Sequence, residues 1–174
     1  MFHGFSTGES VPRLIGTAMM KLLSIFVAAL FLIPLYASAK DKAEVFSGKS
    51  VASQLQALAQ TAKASASGGA TLGDYGSHAI KLSVRITSGG AEVHAHYDDV
   101  FVVSEGTATL VTGGTVLDAK TGEDGETKGS GIQNGTSHTI VKGDIVHVPA
   151  GTPHRLIIAP GVVFGAVVVK VKEP

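Results

Sequence analysis

Hydrophobic and polar positions along the chain fall into three regimes. From Leu22 to Leu35 apolar residues run almost unbroken. From Ser47 to Lys63 they recur at helical spacing, with Val51, Leu55, Leu58 and Ala62 on one stripe. From Ser77 onward they alternate with polar residues or gather in short runs between glycines and prolines.

The first regime reads as an export signal. Met20-Lys21 precedes the apolar run and Ala37-Ser38-Ala39 has the small-x-small pattern of a cleavage site. The run is shorter than the ~20 residues of a comfortable membrane span. Residues 1–39 are therefore expected to be a signal region, with the true start at Met19 or Met20. The mature chain would begin at Lys40, secreted or periplasmic, with no stable membrane span after processing.

The second regime predicts one amphipathic helix over Ser47–Lys63, capped by Ser47 or Ser50 and packed on the outside of the strands C-terminal to it. Ala64–Gly76 reads as a small-residue linker, because Gly68-Gly69 bars a longer helix. The third regime begins with Ile80, Leu82, Val84 and Ile86 alternating with Lys81, Ser83, Arg85 and Thr87, a half-buried strand. Further strands are predicted near Val93–His96, Val100–Ser104, Thr107–Val111, Thr115–Asp118, His138–Val141, Ile145–Val148, Arg155–Ala159 and Val162–Lys172. Lys120–Gly131, rich in glycine and charge, reads as a mobile loop. Short strands without intervening helices predict an all-β class over residues 77–174, an antiparallel barrel or jelly roll.

Composition narrows the function classes. Lysine plus arginine equal aspartate plus glutamate at 14 each, so no basic field attracts nucleic acid. The 22 glycines suit strands joined by tight turns. There is no cysteine, which excludes disulfides and thiolate sites. No phosphate loop, dinucleotide fingerprint or Ser-His-Asp pattern is present.

The candidate chemistry lies in two stretches. GAEVHAHYDDVFVVSEG, Gly90–Gly106, puts His94 and His96 on one side of a predicted strand and follows them with Asp98 and Asp99. GDIVHVPAGTPH, Gly143–His154, turns at Pro149 and Gly151 and delivers His154 to the next strand. Three imidazoles and a carboxylate are enough to hold one divalent metal with room for water or substrate.

These stretches resemble the cupin family. Its first motif appears as His94-x-His96 with Gly106 closing it, and its second as Gly143, Pro149, Gly151 and His154. The chain departs from the family at Ser88, where the leading glycine is expected and Gly89 and Gly90 come late. It departs again at Asp99, in place of a glutamate, and at Ile158, in place of an asparagine. The resemblance covers roughly Ser77–Lys172. It implies a single jelly-roll barrel and a metal site of His94, His96, Asp99 and His154. Asp99 would act directly or through water, and the metal would be iron, manganese, zinc, nickel or copper.

Other polar residues are weaker candidates. Asp98 is an alternative carboxylate, on the opposite face from Asp99. His147 reads as a satisfied strand histidine, and His78 and His138 as solvated strand starts. Tyr97, Arg155 and Gln133 are candidates for ligand contact. Ile158 beside Leu156 predicts a dry cavity suited to a small organic molecule. Two function classes remain: a metal-dependent dioxygenase, isomerase or lyase, and a non-catalytic binding module of the cell envelope. Val162, Val163, Val167, Val168 and Val169 make the last strand apolar on both faces, which predicts a homodimer covering it.

Overall fold

The structure is a computed structural model that describes residues 43–174. The expected export signal lies outside the described residues. Among them, no helix is long and apolar enough to cross a membrane.

The predicted helix forms as α1, Gly48–Ser65. Ser47 caps it, its hydroxyl accepting from the Ser50 amide at 3.2 Å, and Ala66 closes it in a left-handed conformation. The chain then departs from expectation. Instead of a linker, Ser67–Asp74 is a strand, β1, paired antiparallel with β2, His78–Arg85. The small residues that suggested a linker serve close packing. A Cβ on Gly68 would lie 2.7 Å from the Leu58 carbonyl oxygen, so glycine lets β1 run directly beneath the helix.

The remaining strands are β3 (Ala91–His94), β4 (Tyr97–Glu105), β5 (Thr107–Thr112), β6 (Thr115–Leu117), β7 (Lys120–Thr121), β8 (Glu126–Gly129), β9 (Gly131–Gln133), β10 (Thr136–Val141), β11 (Ile145–Val148), β12 (His154–Ile157) and β13 (Phe164–Lys172). Two antiparallel sheets face each other, ordered β1-β2-β13-β4-β11 and β10-β5-β12-β3-β8-β7, with a small β6-β9 ribbon. Each sheet places strands distant in sequence side by side, as the expected jelly-roll barrel requires. Phe101, Leu110, Ile140, Leu156, Phe164 and Val168 fill the space between the sheets.

The alternation on β2 is as expected, but its apolar face turns away from the barrel. Leu82 and Val84 are buried against Leu55 and Ala62 of α1, on the outside of the sheet. Strand β13 runs between β2 and β4, and its two faces go to different partners. Val168 joins the barrel core while Val167 packs under the helix. The apolar double face that suggested a homodimer is thus covered in good part within one chain.

The stretch expected as a mobile loop, Lys120–Gly131, is instead the hairpin β7–β8, and β8 pairs with β3. Asp124 turns it, accepting from the Glu126 amide at 3.1 Å.

Candidate metal centre

Strand β3 ends at His94, and this decides the site. Ala95 and His96 form the turn into β4, so the two histidines do not share a strand face. His96 is exposed and packs beside Gly125 of the hairpin turn, away from the interior. The period-two argument holds in the other direction: Glu92, two residues before His94, shares its inner side. Glu92, His94 and His154 each offer a ligand atom, and these atoms lie within 4.8 Å of one another.

The second motif reaches this point through its turn. The Gly151 amide donates to the His94 carbonyl at 2.8 Å, and the Ala150 amide donates to Asp98 Oδ1 at 2.7 Å. The Pro149–Pro153 turn is thereby tied to both ends of the β3–β4 connection. His154 follows on β12, opposite Glu92 in register. The His94 and His154 rings stand 5.1 Å apart, tilted by 58°.

Asp99, the expected carboxylate, faces inward and is 5 % exposed. Its Oδ2 lies 3.2 Å from His94 Nε2 and 3.7 Å from His154 Nε2. Its Oδ1 accepts from Lys170 Nζ at 2.9 Å. Asp98 faces outward, as alternation requires. It bonds His147 Nε2 at 2.7 Å, so both residues are structural partners at the turn rather than ligands.

Each imidazole is oriented by its far nitrogen. His94 Nδ1 is hydrogen-bonded to Glu126, and His154 Nδ1 donates to the Thr152 carbonyl at 3.1 Å. In the neutral rings both Nε2 lone pairs then point into the space beside Glu92 and Asp99, the orientation a metal needs. The donor set of two imidazole nitrogens with adjoining carboxylates fits a first-row divalent ion.

The electrostatics follow from the same contacts. Burial and the Lys170 charge push the His94 imidazole down, but hydrogen bonds to Asp99 and Glu126 outweigh them, so its pKa is raised from 6.5. His154 is lowered, by burial first and by the neighbouring His94, against the pull of the Thr152 carbonyl. Burial raises Asp99, but His94 and Lys170 overcome this and hold its carboxyl low.

Two departures from the motif meet each other. The Ile158 amide donates to Ser88 Oγ at 3.0 Å, so the two positions where the resemblance led us to expect asparagine and glycine are bonded to each other. Ile158 itself is buried in the core, as its apolar character predicts. The site adjoins a cavity of about 290 Å³ whose wall includes Phe101, Leu156 and Val168. Arg155 lines this cavity. Gln133 and His138 lie exposed on β9 and β10, and neither lines it.

The sequence reading missed Glu92 and Glu126. Glu92 carried a signal, its spacing of two from His94. Glu126 carried none, since only the pairing of β8 with β3 sets it opposite His94.

No family model and no curated protein matches this chain. Solved structures do. One is a sugar phosphate isomerase from a cupin superfamily of Silicibacter pomeroyi, at 20% identity and TM-score 0.45, covering 65% of this chain and 64% of that one. A second is the Cnp3 cupin domain of Schizosaccharomyces pombe, at 11% identity and TM-score 0.46, covering 62% and 61%. A third is a cupin 2 conserved barrel domain protein of Salinispora arenicola, at 16% identity and TM-score 0.42, covering 61% and 76%. The chain spans just under two thirds of the first two.

Proposed function

We propose that this protein binds one divalent transition metal through Glu92, His94 and His154, with Asp99 beside it, next to a cavity that receives a small organic molecule. The observation that supports this best is that both Nδ1 atoms are already engaged, by Glu126 and by the Thr152 carbonyl, leaving both Nε2 atoms for one ion. A bound metal would supply Lewis-acid chemistry or a water of lowered pKa. The chain's own residues do the rest. Glu126 and Thr152 hold the rings, Lys170 holds one oxygen of Asp99, and Phe101 with Val168 keeps one wall apolar. Export from the cytoplasm belongs to the same proposal, supported by the Ala37-Ser38-Ala39 pattern.

The test is metal content per chain after dialysis against zinc and then against metal-free buffer. Wild type should retain one equivalent of metal, and His94→Ala and His154→Ala should each lose most of it. Glu92→Gln should weaken retention, and His96→Ala should leave it unchanged. Wild-type retention in His154→Ala would end the proposal. A loss in His96→Ala equal to that in His94→Ala would restore the ligand set read from the sequence.

A further inference from the structure

We infer that the molecule received by this cavity is a small organic anion, carboxylate or phosphate, and that Arg85 with Lys81 selects it. The inference rests on the proposed metal site for the ligand's position, while its charge is argued from separate residues.

Strand β2 is turned inside out. Its apolar residues Leu82 and Val84 face the helix, so the barrel side of the strand carries Lys81, Ser83 and Arg85. The register agrees. Lys81 stands opposite Val168 and Arg85 opposite Phe164, both residues of the barrel core. A strand that needed only to fill a barrel would place its charged face in water. Lys81 keeps its water, but Arg85 is half-buried on this side, gives up part of its hydration and calls for an anionic partner.

The described residues do not supply that partner. Four cations line the cavity, Lys81, Arg85, Arg155 and Lys170, against two carboxylates, Glu92 and Asp99. Of these four, Lys170 is ion-paired, with Asp99. Lys81, Arg85 and Arg155 make no salt bridge among the described residues.

The two arginines meet at Gly89. Arg155 Nε donates to the Gly89 carbonyl at 2.9 Å. Arg85 lies against the same residue, its Nη1 2.9 Å from where a Cβ on Gly89 would stand. Gly89, having no side chain, leaves room for the Arg85 guanidinium there. A planar guanidinium there offers two parallel donors to an oxyanion. The 290 Å³ cavity has the size of a small ligand rather than of a chain segment.

The experiment is isothermal titration of the full chain, with and without bound zinc, using malonate, inorganic phosphate and malonamide as probes. Malonamide matches malonate in shape without its charge. At least one anion should bind and malonamide should not, and which anion binds more tightly separates a carboxylate ligand from a phosphate one. Arg85→Gln should weaken anion binding at least about tenfold, the loss expected for a charge-assisted hydrogen bond. Zinc content should stay at the wild-type level. Lys81→Gln, at an exposed position, should weaken it less and keeps the test valid if Arg85→Gln fails to fold. Equal binding of malonate and malonamide, or wild-type affinity in both variants, overturns the inference. Arg85-dependent anion binding in a protein that takes up no zinc would uphold it and remove the metal reading. Zinc uptake without anion binding would do the reverse.

Discussion

Removing the Glu126 side chain tests whether the hairpin β7–β8 belongs to the metal centre. Glu126 touches His94 Nδ1 and no other part of the candidate ligand set. Its loss therefore leaves every ligand in place and frees only the orientation and basicity of one ring. Partners of this kind are worth about 10–100-fold in metal affinity. The Glu126 side chain is 26% exposed, so water can take over part of its role. The lower end of the range then applies, about tenfold or ~1.4 kcal/mol, for Glu126→Ala. Glu126→Gln keeps an acceptor for the Nδ1 proton and should lose less. Zinc affinity measured by competition with a chelating dye, at a pH where His94 is neutral, reads both variants. The pH dependence adds a second signature. Glu126 helps raise the His94 pKa, so removing it also weakens proton competition. The deficit of Glu126→Ala should accordingly shrink as the solution is acidified. Affinity within twofold of wild type in Glu126→Ala, alongside a large loss in His94→Ala, would refute the role assigned to the hairpin.

Two further outcomes are expected from the same structure. Metal binding needs both imidazoles neutral, so affinity should fall on acidification. Because the His94 pKa is raised from 6.5 and that of His154 is lowered, the fall should begin above pH 6.5, where His94 charges, and His154 should add to it only at lower pH. Zinc titrations across this range, with proton release measured in buffers of different ionisation enthalpy, check it. Leu82→Ala should cost about 2–5 kcal/mol of stability in urea unfolding, as for other buried leucines. Its side chain is 1% exposed between the sheet and α1, yet outside the barrel, so metal content per folded chain should not change.

Much of the architecture was legible because it depends on local pattern. The helix, its serine cap and strand β11 lie where periodicity and turn residues put them. His154 was legible too, since the Pro149–Gly151 turn fixes where β12 begins. Asp99 and Asp98 point to opposite sides because a strand alternates, and that needs no knowledge of the fold. His96 lies apart from the inner group for an equally local reason. Alternation along β3 ends at His94, where the strand gives way to the crossing between sheets. Strand β1 was missed because its glycines read as breakers, when they are close approaches to a helix that only packing brings near.

By itself the sequence determined which residues share a face, where turns must occur and which residue types were available to bind a metal. It left open which face is the inside. Period two is the same whether Leu82 and Val84 look into a barrel or out under a helix, and only α1, lying across β2, decides between them. The pairing of β8 with β3 and the bond from Gly151 to His94 join residues far apart in the chain. Such contacts depend on how the sheets close over the core, and no window of sequence contains both partners. The tertiary structure therefore decided that Glu92 stands where His96 was expected, and that the charged side of β2 faces the cavity.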